Sequence, residues 1–228
     1  MTTTTTGTRI LAALAEVRDP ELDEPITALG FVASTSVTED GRAEVHLRLP
    51  TYFCAPNFAY LMVADAYDQV AALGLTTTVI LDDHFASEAI NEGVAARAGF
   101  ARSFDGEAVG ELDELRANFL RKAVLAGTDA VCRPLTGFPL ATMTLGDVPH
   151  SPALARLKRR RRELGLPYAD AAPLLIDPKT GAPIGADDVP LHLRKARLTR
   201  TSLDANTGIC RGMLRHRYDT DGQGEDAL

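Results

Sequence analysis

Residues 43–81, AEVHLRLPTYFCAPNFAYLMVADAYDQVAALGLTTTVIL, change their hydrophobic period twice. AEVHLRL alternates, setting Val45, Leu47 and Leu49 on one side and Glu44, His46 and Arg48 on the other, as in a half-buried strand. APNFAYLMVADAYDQVAALG reads as a helix over about 56–73, with Pro56 tolerated in its first turn and Gly74 suited to its end. TTTVIL, 76–81, returns to a strand. On the N-terminal side, two strand segments, about 31–38 and 42–49, meet through Glu39, Asp40 and Gly41, a D-G turn signal. Upstream again, TRILAALAEVR, 8–18, places Ile10, Leu11, Leu14 and Val17 on one helical face after threonines able to cap it. Pro20 and Pro25 then end that helix in the acidic loop DPELDEP. The order helix-strand-strand-helix-strand predicts an α+β domain, helices packed on a small three-stranded sheet.

Beyond residue 82, DDHFASEAINEGVAARAG predicts a helix to about 98 with Asp82 or Asp83 as cap, and LDELRANFLRKAVLAG, 112–127, predicts another. Past 130, prolines recur at 134, 139, 149, 152, 167, 173, 178, 183 and 190, so short elements are expected, and LLIDPKTGAPIG reads as a short hairpin. The expected organisation is a domain at 8–82 and a helical and irregular extension at 83–218 packed on it. Residues 1–7 and 219–228 are expected to be disordered.

Composition bounds what such a chain can do. It has 228 residues, 45% hydrophobic and 24% charged, which suits a soluble globular protein. No apolar run approaches the roughly 20 residues that cross a bilayer, and MTTTTTGTR lacks the form of a secretory signal, so the cytoplasm is the expected compartment. Cys54, Cys132 and Cys210 are odd in number and form no CxxC, which argues for free thiols. Residues 1–150 hold 10 basic and 21 acidic side chains, and residues 151–228 hold 14 and 10. Much of that basic surplus sits in ARLKRRRREL, at Arg156, Lys158 and Arg159 to Arg162. An acidic chain without aromatics interleaved in the run argues against nucleic acid and for a solvated helix face, or a dock for an acidic protein client.

Chemistry could sit at three places. Cys54 lies at a strand-to-helix junction, facing the positive end of a helix dipole, which favours an anionic sulfur able to hold metal or attack. The alternative is a small buried hydrophobe. Asp19 and Glu21 flank Pro20 on a loop able to ligate a metal, although acidic surface loops are common. His84 and Glu88, four apart in LDDHFASE, form a half-site for iron or zinc if the helix starts there, provided that the strands ending near Leu49 and Leu81 share one sheet edge. Cys132 and Cys210 have weaker cases, as structural or incidental thiols. No GxGxxG, P-loop, HExxH or GxSxG motif gives a nucleotide or hydrolase reading.

Taken together, ILAALAEVRDPELDEPITALGFV, the hairpin and LPTYFCAPNFAYLMVADAYDQVAALG resemble the iron-sulfur cluster assembly domain family, which includes the PaaD-like and SufT-like proteins. The resemblance covers about 8–82. Its motifs map onto Asp19, Pro20 and Glu21, then Leu29, Gly30 and Val32, then Thr51 and Cys54. Two departures stand out: Cys54-Ala55-Pro56 replaces the family's C-P, and Tyr52 and Phe53 replace small residues before the cysteine. The resemblance implies a maturation factor or metallochaperone, not an enzyme, that helps assemble iron or an iron-sulfur cluster, held transiently, in a client metalloenzyme such as a bacterial multicomponent oxygenase. It implies Cys54, Asp19, Glu21 and Thr51 as cargo-binding residues; the half-site reading of LDDHFASE adds His84 and Glu88 to Cys54 as metal ligands. A cluster needs four ligands, so the metal would be shared across a homodimer or with the client, or would be a single iron on Cys54, His84 and a carboxylate. Two other readings compete: a metal-free chaperone docking its client through 156–162, and an enzyme with Cys54 as nucleophile and His84 as base.

Overall fold

The computed structural model describes residues 2–104 and 110–219. Within them, helix α1 (Thr2–Leu14) and the short α2 (Ile26–Leu29) precede strands β1 (Val32–Val37) and β2 (Ala43–Leu47), helix α3 (Pro56–Ala71) and strand β3 (Thr77–Leu81). This is the α+β order expected from the sequence. Helix α1 starts at Thr2, ahead of the expected residue 8, and so takes in the threonines expected to cap it. Helices α4 (Ser87–Ala95) and α5 (Phe100–Ser103) follow.

The sheet runs β1-β2-β3. β1 and β2 are antiparallel and joined by the D-G turn, where Gly41 adopts φ 80° and its N–H bonds the Thr38 carbonyl at 2.9 Å. β2 and β3 are parallel, and α3 provides the crossover that a parallel pair requires. Alternation in β2 is realised: Ala43, Val45 and Leu47 are buried, while Glu44 and His46 lie on the more open face. The buried face packs with Ile10 and Leu14 of α1 and with Ala59, Met62, Val63, Ala66 and Val70 of α3 in one core.

The chain divides into two compact units, Met1–Leu112 with Asn206–Leu228, and Asp113–Ala205. The second unit holds α6 (Asp113–Cys132), α7 (Pro152–Glu163) and the first part of α8 (Val189–Asp219). Ser151 caps α7, its hydroxyl accepting the Leu154 N–H at 3.2 Å, with Pro152 opening the first turn. Val124, Val131, Leu145, Leu154, Leu157, Leu174 and Leu175 form its core.

Three expectations are corrected in this unit. Elements past 130 are not all short: α8 is 31 residues long, because Pro190 falls in its first turn, where a missing N–H is harmless, and no proline follows. The hairpin at 174–185 keeps its turn, in which Asp177 Oδ1 accepts the N–H groups of Lys179 and Thr180, but its flanks meet only in a bridge between Ile176 and Pro183. Pro173 and Pro183 lack the N–H groups a longer ladder needs. The basic run is not a solvated face. Arg161 is fully buried, donating to the carbonyls of Pro173 (2.8 Å), Leu174 (2.5 Å) and Pro167 (3.4 Å), Arg160 pairs with Glu163, and Lys158 pairs with Asp170. Burial lowers the Arg161 pKa to about 10, which leaves it charged at neutral pH.

No helix of the described residues is long and apolar enough to cross a membrane. Residues 220–228, most of the tail expected to be disordered, lie outside the described residues.

Because Arg161 satisfies three carbonyls at once, Arg161→Ala should destabilise the second unit by about 3 kcal/mol, with Arg161→Lys intermediate. Hydrogen exchange should show the loss as reduced amide protection around 157–175.

Candidate functional site

The parallel pairing aligns Leu47 with Leu81, so β2 and β3 end at the same sheet edge. The Asp82 N–H extends the ladder to the Leu47 carbonyl at 2.8 Å. Two loops therefore leave side by side: 48–55, which carries Cys54, and 82–86, which carries His84.

The first loop is shaped by Thr51. Its Oγ1 accepts the Phe53 N–H at 3.2 Å and lies 3.3 Å from the Cys54 Sγ. Ala55 then caps α3, its carbonyl accepting from Phe58 and Ala59, and Pro56 opens the helix. Cys54 thus stands immediately before the helix cap, half-buried and free. Tyr52 and Phe53 project at 44% and 76% exposure and, with Phe85 at 49%, form an aromatic group with ring centroids 5.0 to 6.3 Å apart.

The second loop locks the first. His84 is buried; its Nε2–H donates to the Cys54 carbonyl at 2.7 Å, and its Nδ1 accepts the Ala86 N–H at 3.2 Å. Burial, aided by the charge of Arg217, holds its pKa below the ordinary histidine value, consistent with this neutral ring. With both nitrogens bonded to backbone, the imidazole has no lone pair left for a metal or for the Cys54 proton. It positions the cysteine loop. Glu88 is exposed in the first turn of α4, whose cap is Ala86, so His84 lies ahead of the helix and the two do not share a helical face.

The D-P-E loop folds around Asp19. Its Oδ1 accepts the N–H groups of Glu21 and Leu22, both at 2.8 Å, and its N–H donates to the Glu24 carbonyl at 3.0 Å. Asp19 is 8% exposed, and burial pushes its pKa up to about 6 despite those two bonds. Glu21 is half-buried beside it.

The remaining wall comes from the C-terminal part of α8. Leu214 is buried against Gly30, whose φ of 79° closes α2. Arg217 donates to the Leu49 carbonyl at 3.0 Å and to the Asp83 carbonyl at 2.7 Å, and also pairs with the Asp83 carboxylate. On the same helix, Cys210 is half-buried, and burial together with the nearby Asp19, Cys54 and Glu21 raises its thiol pKa to about 11. The structure thus brings Cys54, Thr51 and His84 from the sequence reading together through direct contacts, and adds Arg217, which braces both loops, and Cys210, whose thiol feels Asp19, Cys54 and Glu21 electrostatically. The signal for these two was present in the spacing Thr207, Cys210, Leu214, Arg217, a stripe at three- and four-residue steps along one helix face. Cys132, by contrast, is buried in the second unit, where burial raises its pKa to about 12. Among the described residues, no three His, Cys, Asp or Glu side chains form a ready metal cage.

Residues 8–80 match the model of a family described as iron-sulfur cluster assembly protein. That segment contains Asp19, Glu21, Thr51 and Cys54; His84, Cys210 and Arg217 lie outside it. None of the curated proteins matches the chain, and none of the solved structures does.

Asp19→Asn retains an oxygen for the two loop N–H groups and removes the buried charge. Because the folded pKa of Asp19 lies above its unfolded value, its ionisation costs stability as pH rises from 3.8 to about 6. Asp19→Asn should therefore match the wild type below pH 3.8, gain on it through that window, and be more stable by up to about 3 kcal/mol above it, as urea midpoints across pH would show. His84→Ala should leave the Cys54 carbonyl without its donor and loosen residues 52–56 by about 1–3 kcal/mol, read as faster amide exchange there.

Proposed function

We propose that the protein is a maturation factor that takes up iron or an iron-sulfur cluster on Cys54 and passes it to a client metalloenzyme. The observation that carries this reading is the setting of Cys54: a half-buried thiol ahead of a 16-residue helix, its loop fixed by Thr51 and by a neutral, fully bonded His84. Cysteine sulfur is the protein ligand of choice for iron-sulfur cargo. The chain's donor set fits transient holding. His84 is engaged with backbone, Glu88 points to solvent, and the coordination positions that Cys54 leaves open are those a client would fill.

The exposed group of Tyr52, Phe53 and Phe85 adds an apolar rim next to the thiol. A client protein covering that rim would exclude water while sulfur ligands exchange. The resemblance to PaaD-like proteins favours an iron-dependent multicomponent oxygenase as that client.

Neither competing reading gains support. A nucleophile-base pair needs His84 beside the Cys54 sulfur with a free nitrogen, and the ring bonds the Cys54 carbonyl instead. A dock on 156–162 needs free cations, and Lys158, Arg160 and Arg161 are bonded within their own unit.

Protein purified without oxygen and supplied with iron and sulfide should acquire both, with visible charge-transfer absorption. Cys54→Ser should lose most of that uptake. Equal uptake by the variant, together with normal client maturation in cells carrying it, would overturn the proposal.

A further inference from the structure

We propose that the cavity between α2, Arg48 and the last part of α8 binds a phosphomonoester, its phosphate held by Arg48, Arg211 and Arg215. This goes beyond the reading of Cys54 as cargo ligand and stands or falls without it.

The cavity has a volume of about 450 Å³ and is lined by residues 27–30, Arg48, Arg211, Leu214 and Arg215, all within the first unit. That size falls among the roughly 300–1,000 Å³ clefts that take small molecules. Local geometry fixes both of its walls. Gly30 closes α2 at φ 79°, and Leu214 Cδ2 comes within 3.1 Å of where a Cβ at that position would stand. This close approach seats Arg211 and Arg215, three residues before Leu214 and one after it, against the end of α2. Arg48 is held at three points on the other wall. Its backbone N–H donates to the Phe31 carbonyl at 2.8 Å, its Nε–H donates to the Gly30 carbonyl at 3.2 Å, and its guanidinium lies 4.8 Å from the centre of the Tyr218 ring. The Arg48 cation is therefore in place before a ligand arrives, which lowers the ordering cost of binding.

The charge around this cavity is unbalanced. Arg97, Arg121, Arg133, Arg160, Arg200 and Arg217 each pair with a carboxylate, whereas among the described residues Arg48, Arg211 and Arg215 pair with none. Three uncompensated cations meet in a chain of net charge -7. Arg211 and Arg215 also stand four residues apart on one helix, a like-charge spacing that destabilises the empty site.

The donors select the ligand. A guanidinium only donates, and its planar fork matches carboxylate and phosphate oxygens alike. One fork satisfies a carboxylate, which has two oxygens and a single charge. A phosphomonoester offers three terminal oxygens and a charge of about -1.5 to -2 at neutral pH, which suits three forks together. Ala28, Leu29 and Leu214 add apolar surface for the organic part of the ester, which inorganic phosphate lacks. A ligand spanning Arg48 and α8 also ties down the helix whose Arg217 braces both site loops.

Phenyl phosphate serves as the probe, titrated calorimetrically into the full chain in buffer free of other multivalent anions. Inorganic phosphate tests the need for an organic part, and phthalate, an aromatic dicarboxylate, tests the need for phosphate. Phenyl phosphate should bind one per chain, about tenfold or more tighter than either, by the contacts they lack. Arg211 and Arg215 are exposed and unpaired among the described residues, so Arg211→Gln and Arg215→Gln should fold as the parent does. Each should weaken phenyl phosphate about 10- to 100-fold, the loss of one charge-assisted contact. Thermal unfolding gives a second reading. Without ligand these two variants should melt at or above the parent, and the parent should gain more from added phenyl phosphate. Phthalate or inorganic phosphate binding as tightly as phenyl phosphate, or both variants binding it as the parent does, would overturn the inference. Cys54→Ser should bind phenyl phosphate unchanged. A chain that loads iron and sulfide but ignores phenyl phosphate overturns this inference and leaves the proposed function standing; one that binds phenyl phosphate but takes up no iron does the reverse.

Discussion

The parallel alignment of Leu47 with Leu81 is the constraint on which the site depends. A five-residue strand is roughly 17 Å long, so an antiparallel β3 would put the 82–86 loop that far from Cys54, at the opposite edge of the sheet. Parallel pairing forces the crossover helix α3, and the crossover forces a strand-to-helix junction where Cys54 sits. One pairing choice thus delivers the thiol at a helix start and the histidine that fixes its loop. His84 spends both nitrogens on this task. A residue type usually suspected as ligand or base is used here as a neutral bracket.

A second constraint comes from the far end of the chain. Arg217 bridges to Leu49 across 168 residues and to Asp83 across 134. Closing such separations costs entropy, but that cost grows only by about 0.6 kcal/mol per doubling of loop length. Charge-assisted bonds worth about 1.5–3 kcal/mol each, together with burial of Leu214, offset it. The edge that carries Cys54 is therefore finished by residues beyond the segment that matches the assembly family.

The sheet and its helices were legible because local signals agreed: alternation in AEVHLRL, a D-G turn, Pro56 at a helix start and Gly74 at its end all favour one order. The site was half legible. Cys54, Thr51, Asp19 and Glu21 lie in compact motifs, whereas Cys210 and Arg217 act through a fold-back that no local pattern announces. Their helical stripe was readable, but proline density up to residue 190 drew attention away from the proline-free stretch after it. His84 and Glu88 mislead for a different reason. Spacing predicts a shared face only inside a helix, and α4 begins at Ser87, after Asp83 has taken a positive φ of 47°. In ARLKRRRREL, charge counts could not reveal that Arg161 faces inward, because the prolines that break regular pairing at 167 and 173 leave bare carbonyls that only a long, multiply donating side chain can reach.

Asp19 ties stability to pH. A carboxyl whose pKa is lifted from 3.8 to about 6 is ionised at neutral pH at a net cost of about 3 kcal/mol. That net cost already includes the backbone bonds from Glu21 and Leu22, which offset part of a larger desolvation cost. The D-P-E loop therefore carries an electrostatic cost at neutral pH that its backbone bonds offset only in part, and that cost makes its stability the part of this unit most sensitive to pH between 3.8 and about 6.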